Sequence, residues 1–164
     1  MNTHLTREPG DTARVSDTIE AFLERIVSTW NAGDANAYAE EFTEDATYVV
    51  FMGLVLRGRA SIRAEHVPVF STYQRGSRMT IRVLDVRTPA PDVAIVVTTG
   101  GIGTGRRLPE DKVQTFTLVL DDGRWRCAAF QNTKRQRAML RVHALFNRKA
   151  AAAASGGTAG TAAA

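Results

Sequence analysis

The order of hydrophobic patterns along the chain predicts an α+β domain in which a strongly curved, mostly antiparallel sheet wraps over three helices as a cone. Three observations predict it. Two stretches of helical period come first and a third follows two short strands; four strand patterns joined by turn residues close the chain, giving the order ααββαββββ. With 164 residues, 44% hydrophobic and 23% charged, the composition is that of an ordinary soluble domain, able to bury a core without disulfide or metal. Between Trp30 and Gly53 the pattern turns a corner, passing from a helical to a two-residue period.

Residues 1–15 contain no apolar run and read as a flexible arm. The first helix then starts with Ser16 or Asp17 as cap, in a segment, Asp17-Thr18-Ile19-Glu20, that resembles a capping box. Ile19, Phe22, Leu23, Ile26, Val27 and Trp30 form its buried stripe, and Glu20, Glu24, Arg25 and Ser28 face water. Gly33 is placed to stop this helix in a left-handed C-cap, and Asp34 to accept the free N–H groups of a short second helix carrying Ala37, Tyr38 and Phe42. Thr43-Glu44-Asp45 reads as a turn and Ala46 to Phe51 as the first strand. Gly53 and Gly58 bracket a short strand over Leu54–Arg57, and a third helix begins near Ala60. Its inward stripe is Ile62, His66, Phe70 and Tyr73, with a kink at Pro68, which has no backbone donor. Strands follow over Met79–Val86, Val93–Thr99, Val113–Leu120 and Trp125–Phe130, the last pair joined by the hairpin signal Asp121-Asp122-Gly123. The domain spans 16–137. Residues 138–164 form a basic, then Ala/Gly-rich tail, helical over 138–149 and otherwise without defined structure.

The net charge of +4 invites a nucleic-acid reading that its distribution opposes. All 17 acidic residues precede Thr133, whereas Lys134, Arg135, Arg137, Arg141, Arg148 and Lys149 follow it, leaving a body of −2 and a tail of +6. No basic stripe interleaved with aromatics marks a nucleic-acid face, so no nucleic-acid partner is expected. The single Cys127 suits a reducing compartment, and neither a secretory nor a membrane-spanning segment is evident, so the cytoplasm is expected and no membrane partner. His4, His66 and His143 lie in separate segments without paired ligand spacing; neither a metal nor another cofactor is expected. Gly100 to Arg106 mimics a phosphate loop only faintly, lacking the lysine and the helix that such a loop requires, and reads as a mobile hairpin loop.

Several motifs occur together in order: Trp30-Asn31-Ala32-Gly33-Asp34, Phe42 with Asp45-Ala46, and Arg57-Gly58 followed by Ile62 and His66. Asp122-Gly123-Arg124-Trp125-Arg126 and Phe130-Gln131-Asn132-Thr133 complete them. On these residues Ser16 to Gln136, about three quarters of the chain, resembles the nuclear transport factor two-like superfamily, home of ketosteroid isomerases, scytalone dehydratase and SnoaL-type polyketide cyclases. Within it the sequence resembles the SgcJ/EcaC family. The resemblance implies a homodimer with a pocket under each sheet, and a place in natural-product biosynthesis, notably of enediyne polyketides.

The chemistry of the ketosteroid isomerases does not carry over. Aligning from the corner puts Ile26 where those enzymes carry a tyrosine and Val50 where they carry the general-base aspartate, and no carboxylate lies near Phe116 for the second acid. Phase arguments leave other groups for the pocket. His66, on the inward helical stripe, is the candidate catalytic residue. Gln114 and Gln131 end otherwise apolar strand faces, the second sharing its face with Trp125, Cys127 and Ala129. Trp30, Tyr48 and Tyr73 supply aromatic wall with polar tips, and Val50, Phe70 and Phe116 apolar wall. Each has a plainer account as core packing or strand-end hydrogen bonding. The function expected first is a pocket protein that binds a hydrophobic polyene or polyketide intermediate and assists its processing. The alternatives are a cyclase, dehydratase or isomerase with His66 as general base, and a dimeric module whose basic tail engages an acidic polyketide synthase or carrier protein.

Overall fold

A computed structural model describes residues 17–156, with side chains described through residue 151. The predicted arm and the end of the tail lie outside the described residues, as do Ser16 and His4. The elements are α1 (Ile19–Ala32), α2 (Ala35–Glu40), β1 (Phe42–Val49), β2 (Val55–Arg57), α3 (Arg59–Pro68), a π-helical turn (Val69–Tyr73), β3 (Arg78–Ala90), β4 (Val93–Gly103), β5 (Lys112–Asp121), β6 (Arg124–Lys134) and α4 (Arg137–Gly156). In the compact unit that ends at Thr133 the strands form one curved open sheet in the order β2-β1-β6-β5-β4-β3. The β1–β2, β3–β4 and β4–β5 pairs are antiparallel and β1–β6 is parallel. α4 belongs to a separate unit.

The corner forms as its residues dictate. Gly33 has φ 66° and donates its N–H to the carbonyls of Thr29 and Trp30, ending α1; the Asp34 carboxylate accepts from Asn36 N and Ala37 N and starts α2. At the other hairpin Asp122 and Gly123 both take positive φ, 48° and 75°, as a two-residue β-turn of the primed kind requires. The α1 stripe is buried at Phe22, Leu23, Ile26 and Trp30 against a core that includes Tyr38, Phe42, Phe116 and Phe130.

Several of these expectations are corrected. The cap of α1 is Thr18, whose hydroxyl accepts from Ala21 N, because the Asp17 carboxylate is drawn away to Arg25 and to the backbone N–H of Trp125. Phe42 is not on α2 and Thr43–Asp45 is not a turn; all lie in β1, where Phe42, fully buried, pairs with Cys127 and the strand is irregular from there to Thr47. Phe51 instead falls in the turn after β1. β4 continues through Gly100 to Gly103, where a loop is expected, since it pairs with β3 as far as Arg78; a Cβ on Gly100 would lie 2.0 Å from the Thr80 carbonyl oxygen, a space that only glycine fits. Helix continues past residue 149 to Gly156 through an alanine-rich run of high helix propensity.

A buried carboxylate ties the junction of α2 and β1 to its surroundings. Glu41, 2% exposed, accepts Arg25 Nε at 2.9 Å on one oxygen and Arg124 Nη2 at 2.5 Å on the other, joining α1 and β6. Glu41→Ala is expected to destabilise by about 2 kcal/mol in urea unfolding, below the figure for a fully buried pair because both guanidinium groups keep contact with water and Arg25 retains Asp17. A loss under about 0.5 kcal/mol would show the cluster to be energetically neutral.

Candidate functional site

Under the sheet lies a cavity of about 450 Å³, walled by α3 and the π turn, by the residues after β1, and by the inner faces of β3 to β6. Its deep polar groups come from three elements. His66 is 4% exposed because α3 places it one turn after Ile62, on the stripe that faces the core. Its Nδ1 lies 2.8 Å from the Ile62 carbonyl oxygen. A carbonyl can only accept, so Nδ1 carries the hydrogen and the lone pair of the neutral ring is on Nε2, which has no hydrogen-bond partner among the described residues. Burial among the rings of Trp30, Tyr38, Tyr48 and Phe70 lowers the imidazole pKa below its usual 6.5, outweighing the Ile62 hydrogen bond and the Glu65 charge that act to raise it. At neutral pH the ring is therefore an uncharged base.

Tyr48 is 5% exposed, with its hydroxyl 3.4 Å from that of Tyr38. Burial pushes its phenol up to about 12, so it stays neutral; either hydroxyl of the pair can donate, and with Tyr38 as the donor the Tyr48 hydrogen is left for the cavity. Gln114, 3% exposed, accepts from Thr98 Oγ1 at 2.8 Å on its Oε1, which leaves its NH2 for the cavity. Trp30 contributes only a ring face, since its indole N–H is given to Ser77 Oγ at 3.1 Å.

The structure brings His66, Trp30, Tyr48, Val50, Tyr73 and Gln114 to the cavity wall and leaves Phe70, Phe116 and Gln131 off it. The π turn explains the first of these shifts. Pro68 interrupts the α-helical ladder, and Gln74 N–H reaches back to Val69 O at 2.7 Å, so that Val69 to Tyr73 wind as a wider π turn. Phe70 packs into the core 4.9 Å from the Trp30 ring, Val69 takes the wall, and Tyr73 stands 74% exposed at the mouth. Phe116 is core, between Phe22 and Phe130. Gln131 is exposed on the opposite face of the sheet with Thr47, Thr115 and Thr117. The irregularity of β1 is the reason: five positions from Phe42 to Thr47 match two from Cys127 to Ala129, so Cys127 and Phe130 both point inward and strict alternation along β6 fails. Asn132 takes the wall position expected of Gln131, and nothing in the sequence pattern signals it. Lys112 also lines the cavity; alternation does signal that one, since it lies two residues before Gln114 on the same face.

Among the described residues no group of three or more His, Cys, Asp or Glu is placed to hold a metal ion. No described helix is long and apolar enough to cross a membrane. What the arrangement supplies is a neutral base beside two neutral donors in a largely apolar chamber.

The depressed His66 pKa has a measurable consequence. Between the lowered folded value and the ordinary 6.5 the unfolded chain binds more protons than the folded one, so stability is complete above about 6.5 and falls as pH drops through that window. His66→Gln is expected to flatten this part of the stability curve, read as urea midpoints across the pH range; an unchanged slope would show that the imidazole is not desolvated.

Residues 23–128, well over half of the chain, match the model of the SnoaL-like domain. Among solved structures, a domain with a cystatin-like fold from Nostoc punctiforme is 22% identical, with 84% of this chain and 93% of that one covered, at a TM-score of 0.67. Aln2 from a Streptomyces species is 19% identical over 84% of this chain and 99% of its own, at 0.64. A ketosteroid isomerase-like protein from Erwinia carotovora is 19% identical over 71% and 92%, at 0.56. At such identities the likeness to these structures is one of fold. Among curated proteins none matches the sequence.

Proposed function

The chain belongs to the SnoaL-like family, and from this we propose that its cavity binds a hydrophobic polyene or polyketide intermediate and assists its processing in the biosynthesis of an enediyne-type natural product. One observation carries the reading: a chamber of about 450 Å³, apolar over most of its wall, has neutral hydrogen-bonding groups, Tyr48, His66 and Gln114, at its depth. The resemblance of the corner and strand motifs to the SgcJ/EcaC family supports the enediyne assignment and a homodimer, and the lone Cys127 suits a cytoplasmic setting. Fluorescence titration with the methyl ester of a conjugated tetraene fatty acid tests the binding. The protein is expected to give saturable binding, weakened about tenfold or more in Val50→Trp or Ile102→Trp, where an indole occupies the chamber. Absence of saturable binding, or equal affinity in folded variants of both kinds, would overturn it.

A second reading is favoured by the unpartnered His66 Nε2. In it the assistance is chemical: a cyclase, dehydratase or isomerase in which His66 removes a proton while the Tyr48 hydroxyl and Gln114 amide hold the developing oxyanion. The tail supports a partner proposal of its own. α4 carries Arg137, Arg141, Arg148 and Lys149, with Met139, Leu145 and Phe146 more than half exposed, a combination suited to an acidic synthase or carrier protein.

A further inference from the structure

We propose that Lys112 makes the cavity selective for carboxylic acids, with the carboxylate at the mouth and the apolar chain inside. The inference rests on the small-molecule reading of the cavity and names the class of molecule.

Polarity along the cavity wall runs in one direction. On the inner face of β5 the two cavity-wall side chains are, in order, Lys112 at 14% exposure and Gln114 at 3%, an ammonium then an amide, and the next side chain on that face, Phe116 at 1%, is core. β6 repeats the order with half-buried Asn132 followed inward by Phe130 at 4%. The charged end is the open end, because the Lys112 ammonium lies 5.3 Å from the centre of the Phe51 ring, and Phe51 is 45% exposed.

A lysine at a rim ordinarily extends its four-carbon stem and keeps its ammonium in bulk water. Lys112 does the opposite. Its Nζ is held over Phe51 and donates to Asp111 Oδ1 at 3.1 Å, at the cavity wall. An ammonium has three N–H donors; Asp111 accepts one, and the face of an aromatic ring attracts the charge without consuming a second. Two donors on a partly desolvated cation remain for an incoming anion, and a carboxylate meets them with charge-assisted hydrogen bonds. Glu65, the acidic residue of the cavity wall, is on α3, so a carboxylate is repelled from that side and drawn to β5. Deeper in, the Gln114 NH2 and Tyr48 hydroxyl offer donors to a carbonyl or hydroxyl oxygen further along the same chain. The ligand so described is an unsaturated or partly oxidised long-chain acid.

The test uses the full chain and two probes that differ only at the head: a conjugated tetraene fatty acid and its methyl ester, titrated by fluorescence near about pH 8, where the free acid is ionised. The wild type is expected to bind the acid about tenfold more tightly than the ester. Lys112→Gln is expected to bring the acid to the affinity of the ester while the ester changes by less than about threefold, and Lys112→Arg to keep most of the preference. Asp111→Asn removes the competing carboxylate and is expected to tighten the acid but not the ester. Equal binding of acid and ester by the wild type, or a preference that survives Lys112→Gln, would overturn the assignment while leaving the cavity a binding site. Failure of both probes to bind would remove the cavity reading and this inference with it.

Discussion

Trp30→Ala is expected to destabilise the domain by about 3–5 kcal/mol, lowering the midpoint of thermal unfolding by on the order of 10–20 °C. Trp30 is 5% exposed and stands where three elements meet: its ring is within 6 Å of Tyr38, His66 and Phe70, and its N–H holds Ser77 at the start of β3. Truncation removes the wall against which His66 is packed and leaves the Ser77 hydroxyl unpaired in a buried place, so the transfer loss and the cavity loss add. Trp30→Phe keeps a ring and forfeits the hydrogen bond, with an expected cost of about 1 kcal/mol. Circular dichroism melts of the two variants provide the check. A loss under about 1 kcal/mol for the alanine variant would mean that the cluster around His66 is plastic rather than close-packed.

His66→Gln is the second large effect, and it separates the two readings of the cavity. Glutamine approximates the size and hydrogen bonding of the neutral imidazole but cannot take a proton near neutral pH. If His66 is the base, turnover falls about 10²–10⁴-fold while the tetraene ester binds within about threefold of wild type. Product formation by the pathway, with the variant supplied in place of the natural chain, is the quantity to follow. Unchanged output with a folded variant removes catalysis and leaves a binding protein. Loss of ester binding together with loss of output would instead make His66 part of the ligand's seat.

Much of this architecture was legible in the order of residues. The stripe from Ile19 to Trp30, the Gly33–Asp34 junction and the Asp122-Gly123 turn are governed by contacts within a few positions, and each forms as its local chemistry requires. His66 was legible on the same ground, since the spacing of Ile62 and His66 puts both on one side of α3 before Pro68 intervenes. Gln131 was not. It lies beyond the break in β1–β6 register, and a period counted from the near side of an irregularity assigns the wrong face on the far side.

By itself the sequence determined the class of fold, the corner that aims α1 and β1, and the inward position of one imidazole, because periodicity and capping act over distances the chain spans locally. Only the tertiary structure decided which nitrogen of that imidazole is free, that Asn132 rather than Gln131 faces the chamber, and that Lys112 is bent over Phe51 at its mouth. Those outcomes depend on strands and helices far apart in sequence meeting at a fixed register, and a hollow between them is a property of that meeting, which no single segment encodes.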